Sequence, residues 1–184
     1  MLKNMNLPNK LTLLRIILVP FFIASFYLSV SWRNYLAALL FVGAYATDML
    51  DGRIARKRNL ITDFGKLMDP MADKLLSVSA LIMLTAMDML HPVAVIIIVG
   101  REFFISAFRL VAVEKGVVIA ASGLGKAKTV SQFIAITLTL LQAPIRSLLG
   151  GFPLDLAVMW ISVLLTVVSG VDYVVKNKNA VRFD

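Results

Sequence analysis

Residues 48–73 read DMLDGRIARKRNLITDFGKLMDPMAD, a charged stretch set between long apolar runs. Asp48 and Asp51 lie three residues apart, Asp69 and Asp73 four apart, with the basic segment 53–58 between the pairs. On a helix each pair shares one face. The stretch therefore predicts two helices that present two carboxylate pairs to one cleft. Carboxylates about 5 Å apart repel by roughly 3 kcal/mol per pair at an effective dielectric near 20. Four of them beside an apolar environment either take up protons or bind a cation, and this spacing favours the cation. Hard oxygen ligands suit Mg2+, Mn2+ or Ca2+ and not a thiolate-loving metal.

The flanking sequence sets the class. Hydrophobic residues make up 59% of the 184, and the mean hydropathy is +0.85. A water-soluble domain of this length has too little polar surface to cover such a core, so the expectation is an all-α polytopic membrane protein folded as one domain, residues 1–184. Six apolar segments approach the ~20 residues a helix needs to cross hydrocarbon: about 8–30, 34–57, 66–88, 91–114, 127–146 and 153–176. Sustained period-two alternation is missing, which argues against a barrel. Turns are expected around Ser31–Arg33, His91–Pro92 and Gly150–Pro153. Arg33 and Arg146 fall on that side of the layout, whereas Lys10, Arg53, Arg56, Lys57, Lys66, Lys115, Lys126 and most other cations fall on the opposite side. The positive-inside rule then makes the opposite side cytoplasmic, together with both termini and the acidic stretch. The first apolar run reads as a retained span and not as a cleaved signal.

Composition also excludes chemistries. There is no cysteine, so thiolate sites and disulfides are ruled out, and His91 is the lone histidine. The +8 net charge is broken up by apolar spans and does not form a nucleic-acid-binding face.

Within the acidic stretch, Gly52 lets a phosphate approach the backbone, and Arg56, one turn on, offers a planar guanidinium to phosphate oxygens. Gly65 stands ahead of the second pair, near a helix start expected at Thr62 or Asp63. Pro70 is expected to bend its helix locally. Any single Asp can be a solvated helix-end residue paired with Arg56, Lys57, Arg58, Lys66 or Lys74; all four together fit a site for an anionic ligand and its metal far better.

These residues carry a resemblance. The stretch matches D-x-x-D-G-x-x-A-R-x8-G-x-x-x-D-x-x-x-D without a mismatch and resembles the signature of CDP-alcohol phosphatidyltransferases. The resemblance implies a six-helix membrane enzyme, usually a homodimer, that displaces CMP from a CDP-linked lipid with an alcohol. It further implies Asp48, Asp51 and Asp69 as ligands of Mg2+ or Mn2+, as two ions, and Asp73 as general base in contact with metal. Gly52, Ala55, Arg56 and Gly65 would line the CDP site. A carboxylate beside metal ions is weakened as a base, so proton affinity agrees on Asp73 if it is the one farthest from the ions.

Three less specific blocks, NLPNKLTLLR at 6–15, GREFFISAFR at 100–109 and ASGLGKAKTVSQ at 121–132, are similar to the branch of that family that uses sn-glycerol 3-phosphate. The resemblance thus implies CDP-diacylglycerol and glycerol 3-phosphate as substrates, and phosphatidylglycerophosphate and CMP as products, at the cytoplasmic side of the cell membrane. Arg101 and Arg109, two turns apart, together with Lys126 and Lys128, are candidates to clamp the acceptor phosphate. Anchoring by snorkelling to lipid phosphates is the plainer role for Arg109, Lys126 and Lys128, and an ion pair from Glu102 to another helix the plainer setting for Arg101. Asn6, Pro8, Asn9, Thr12 and Arg15 either cap and open the first helix or form an entrance that touches nucleotide or headgroup, with Thr12 assigned to the CDP site. Trp32, Tyr35, Trp160 and Tyr173 are expected at the interface with headgroups. Two rivals stay open. A sister transferase acting on serine, inositol, inositol phosphate or phosphatidylglycerol would keep the whole acidic motif. A small cation transporter would need aspartates spread through membrane depth, and would leave the glycines and Arg56 unexplained.

Overall fold

The computed structural model describes residues 6–57, 63–117, 119–120 and 122–178. Every regular element among them is helical: α1 (Leu7–Ser25), α2 (Arg33–Lys57), α3 (Asp63–Ala86), α4 (Pro92–Glu114), α5 (Gly123–Leu140), α6 (Gln142–Leu148) and α7 (Leu154–Asn177). The chain divides into two compact units, Met1–Ala86 and Met87–Asp184.

In the first unit α1 packs along both α2 and α3. Asn6 opens α1 as N-cap, its side chain accepting from the Asn9 amide at 3.1 Å, which satisfies one of the orphan donors of the first turn. The core combines large side chains (Phe22, Phe26, Phe41, Leu76, Leu81 and Leu84) with alanines of α2 and α3. Phe22 meets Phe26 edge-on at 5.2 Å and Phe41 of α2 at 6.1 Å. Ala37, Ala38 and Ala44 of α2 and Ala72 and Ala80 of α3 are all buried; their size lets helix backbones come close.

In the second unit α7 packs against both α4 and α5. Its inward face carries Asp155, Met159, Ser162, Val163, Thr166, Ser169 and Tyr173, and that of α5 carries Lys128, Gln132, Ala135, Ile136, Thr139 and Leu140. Both sets recur every three or four residues, the helical period. Ile105, Phe108 and Ala112 of α4 close on Tyr173, whose ring meets Phe108 edge-on at 5.9 Å. Tyr173 is thus a core residue and not the interfacial one expected; Trp32, Tyr35 and Trp160 are exposed.

The expected fifth span, 127–146, is two helices. Pro144 has no N–H for the carbonyl four residues back, and the chain turns at Leu141 (φ −100°, ψ 20°) before resuming as α6. Gly150 and Gly151 follow at φ 62° and 92°, a left-handed pair that only glycine adopts cheaply. The turn is pinned by Arg146, which donates Nε to Asp155 Oδ1 at 2.9 Å and an Nη2 proton to Oδ2 at 2.6 Å. α5 itself starts earlier than expected, at Gly123, because Ser122 caps it through the Gly125 amide. The start of α3 at Asp63 agrees with expectation, and the helix runs on through Pro70.

The mainly apolar core also holds polar side chains, while large apolar side chains face outward. Arg15, Thr12, Lys128, Gln132, Asp155, Ser162, Thr166 and Ser169 are buried, while Phe21, Leu39, Ile96, Phe103, Leu110 and Leu164 are exposed. Among the described residues one helix, Leu154–Asn177, is long and apolar enough to cross a membrane by length and composition.

Asp155 is fully buried and Arg146 about one-third exposed. Removing one partner of a buried pair costs about 3–5 kcal/mol. Asp155→Asn is expected to lose stability near the lower end of that range, because the arginine reaches solvent, and to lower the thermal unfolding midpoint measured in detergent.

Candidate functional site

The acidic stretch spans the last three turns of α2 and the first half of α3. Helical backbone runs from Asp48 through Lys57 and from Asp63 through Asp73, so the spacing that gives each carboxylate pair one face holds. Asp48 and Asp73 are the members of the quartet whose side chains are described, both partly buried. Both lie within electrostatic reach of the phenolic group of Tyr45 on α2. The side chains of Asp51, Ala55, Arg56 and Asp69, and the surroundings of Gly52 and Gly65, lie outside the described residues.

The sequence reading missed how Asp48 is held. Arg15, fully buried on α1, places Nη1 2.6 Å from Asp48 Oδ1. Thr12, one turn earlier on the same helix, is also fully buried, as is most of Asn9. This face of α1 therefore works against α2 and α3 as a polar backing: it orients a carboxylate that reaches solvent with 34% of its side-chain surface. Among the described residues no three His, Cys, Asp or Glu side chains form a metal-holding group. The donor chemistry of Asp48 and Asp73, carboxylate oxygens with no cysteine in the chain, fits a hard divalent cation.

The basic candidates lie in the second unit. Glu102 Oε1 accepts from Arg101 Nη1 at 2.9 Å and from Lys128 Nζ at 2.6 Å. Arg101 also donates Nη2 to Ser169 Oγ on α7 at 3.1 Å. Arg109, two turns along α4, donates Nε to the Tyr173 hydroxyl at 3.0 Å, with its guanidinium carbon 5.3 Å from the ring centroid. Arg109 and Lys126 are exposed, whereas Lys128 is only 4% exposed.

The structure thus joins Arg101 and Lys128 in one ionic cluster, sets Arg109 on an aromatic platform, and leaves Lys126 at the surface. Burial of Lys128 removes the snorkelling role. Glu102 makes the ion pair to another helix that was the plainer expectation, with Lys128 of α5, and its long side chain also swings back to its neighbour Arg101. Ser169 and Tyr173 were not read as site residues. Their partners stand 68 and 64 residues away, a separation with no local signal.

With this geometry in view, the class follows from comparison. The family profile described as CDP-alcohol phosphatidyltransferase matches residues 5–168. The chain belongs to the CDP-alcohol phosphatidyltransferase family. It is 42% identical over 190 residues to a Bacillus subtilis protein named CDP-diacylglycerol–glycerol-3-phosphate 3-phosphatidyltransferase, covering 96% of this chain and 97% of that one. Relatives of the same name from Rickettsia felis and Escherichia coli K12 are 39% and 38% identical, over 91% of this chain and 93% and 92% of theirs.

Arg15→Met keeps the bulk of the side chain and removes the charge beside Asp48. The expected loss is about 1 kcal/mol, the low end for a polar group deprived of its partner because Asp48 keeps a third of its side chain in solvent, read as a lower unfolding midpoint in detergent. Arg15→Lys is expected to recover part of it.

Proposed function

We propose that this chain is an integral membrane enzyme that transfers the phosphatidyl group of CDP-diacylglycerol to sn-glycerol 3-phosphate, giving phosphatidylglycerophosphate and CMP. The observation that carries this is near-full-length similarity to relatives named for that reaction. The acidic motif alone would fit any alcohol acceptor. The whole chain, 1–184, acts as one domain with six spans, both termini and the active site on the cytoplasmic side of the cell membrane, and works as a homodimer. The exposed apolar side chains of α1, α2, α4 and α7 support a lipid setting.

The division of labour follows from charge. Arg101, Arg109, Lys126 and Lys128 receive the phosphate of the acceptor, leaving its 1-hydroxyl free to approach the phosphorus attached to diacylglycerol. Asp73 takes the hydroxyl proton as the new P–O bond forms and the P–O bond to CMP breaks. Arg56 meets the charge that CMP carries away, and Gly52, Ala55, Gly65 and Thr12 shape the cytidine diphosphate pocket. Bound Mg2+ or Mn2+, two ions held by Asp48, Asp51, Asp69 and Asp73, would neutralise the diphosphate oxygens.

Purified protein in detergent, given CDP-diacylglycerol, Mg2+ or Mn2+ and a panel of alcohols, is expected to release CMP with glycerol 3-phosphate and not with serine or inositol. Release only with serine or inositol overturns the acceptor assignment, and none with any acceptor reopens the transporter reading. Asp73→Asn is expected to lower turnover about 10²–10⁴-fold, the usual range for a lost general base. Normal turnover in that variant sinks the role of Asp73.

A further inference from the structure

A cavity of about 580 Å³ opens in the second unit where the turn before α4, the short helix α6 and the first two turns of α7 meet. That volume falls within the ~300–1,000 Å³ typical of small-molecule sites. It lies away from the basic candidates: Arg101 and Arg109 stand about 15 and 27 Å further along α4 from His91, at 1.5 Å of rise per residue.

The cavity is lined by donors that the fold leaves unused. Arg146 gives Nε and one Nη2 proton to Asp155. Both Nη1 protons and the second on Nη2 are unclaimed among the described residues, on a side chain that is about one-third exposed. His91 accepts the Val93 amide at Nδ1 at 3.3 Å, so its neutral ring carries the proton on Nε2 and presents a donor. The side-chain amide of Gln142 and the indole N–H of Trp160 add two more, neither with a hydrogen-bond partner among the described residues. Asp88 is the carboxylate in the lining; it is exposed and pairs with no cation among the described residues.

Charge decides what fits. Arg146 and Asp155 cancel, and Asp88 then leaves the lining with a single negative charge. A purely anionic ligand is opposed by that charge, and a simple cation leaves the donors idle. A zwitterion whose ammonium faces Asp88 and whose phosphate faces Arg146, His91 and Trp160 satisfies both. The walls add an apolar requirement. Pro92 and Leu156 line the cavity, and Val93 and Ile161 beside it in sequence are exposed. Trp160, half exposed, joins an apolar ring to a polar edge, as suits a headgroup boundary.

We propose that this cavity binds an amine-bearing phospholipid by its headgroup. The ammonium pairs with Asp88, the phosphate accepts from Arg146, and the acyl chains follow the exposed apolar side chains of α4 and α7. The proposal rests on the membrane setting proposed above and on no particular acceptor alcohol. In that topology the site faces away from the cytoplasm, so its lipid is a resident of the bilayer and not a reactant in the transfer.

In the full-length chain Trp32→Phe leaves Trp160 as the single tryptophan, and its emission reports on the cavity. The protein in detergent is titrated with dihexanoyl-phosphatidylethanolamine, its N-acetyl derivative, dihexanoyl-phosphatidylglycerol and soluble phosphoethanolamine. A saturable change is expected with phosphatidylethanolamine, and binding about tenfold weaker with each of the others, the low end for a charge-assisted contact. Asp88→Asn removes the charge and keeps the left-handed turn at φ 56°, which Asn tolerates as Asp does; it is expected to bring phosphatidylethanolamine and phosphatidylglycerol within about threefold of each other.

No saturable change with phosphatidylethanolamine overturns the proposal, as does equal affinity for phosphatidylglycerol in the wild-type cavity. Equal affinity for soluble phosphoethanolamine overturns the lipid source. The N-acetyl derivative, which lacks the ammonium, tests the role of Asp88 without any change in that residue: binding as tight as the parent lipid overturns it even where Asp88→Asn shows no cooperative thermal transition. CMP release is not the readout, so failure here leaves the proposed reaction standing, and an inactive enzyme leaves a positive titration standing.

Discussion

A charge held among apolar side chains must find its counter-charge within the same bundle, and the helix contacts of both units are organised by that requirement. An ionisable side chain at the centre of a membrane span costs roughly 2.5–3.5 kcal/mol on insertion scales. Pairs that cross between helices supply the counter-charges. Arg15 of α1 reaches Asp48 of α2, Glu102 of α4 reaches Lys128 of α5, and Arg146 of α6 reaches Asp155 of α7. Each pair fixes which faces of two helices meet. Apolar packing then fills in around the pairs, with buried alanines on α2 and α3 in the first unit.

The two sets of functional candidates are built differently. The acidic set is local: two pairs within 26 residues, each placed on a face by helical geometry alone. The basic set is assembled from α4, α5 and α7, and its geometry depends on Glu102, Ser169 and Tyr173 as much as on the cations. That difference matches the chemistry proposed for each. Cleavage at a diphosphate is common to every acceptor and can be written in one short motif, whereas recognition of one alcohol needs contacts collected from several helices.

The same contrast explains what could be read from the chain. The helical class, the opening of α1 at Asn6, the start of α3 at Asp63 and the carboxylate pairs all follow from near neighbours in sequence. Lys128 carries no local sign of burial. Its position fits an anchored surface lysine equally well until the partner on α4, 26 residues away, is located. Tyr173 is ambiguous for the same reason: an aromatic near a helix end suits both a headgroup belt and a core, and contact with Phe108 decides. The break at Leu141 was legible in principle from Pro144, but an uninterrupted apolar run concealed it.

The pairing of Arg15 with Asp48 has a consequence for biogenesis in the bilayer proposed for this chain. Synthesis runs from the N-terminus, so the guanidinium of α1 enters the insertion machinery a whole helix before its carboxylate partner exists. Lys128 is in the opposite position, because Glu102 precedes it. The first helix is therefore retained near the translocon or at the water interface until α2 follows, and α1 and α2 integrate as a hairpin. A carboxylate proposed for a phosphate-processing site would thereby also govern the order in which the helices enter the proposed membrane.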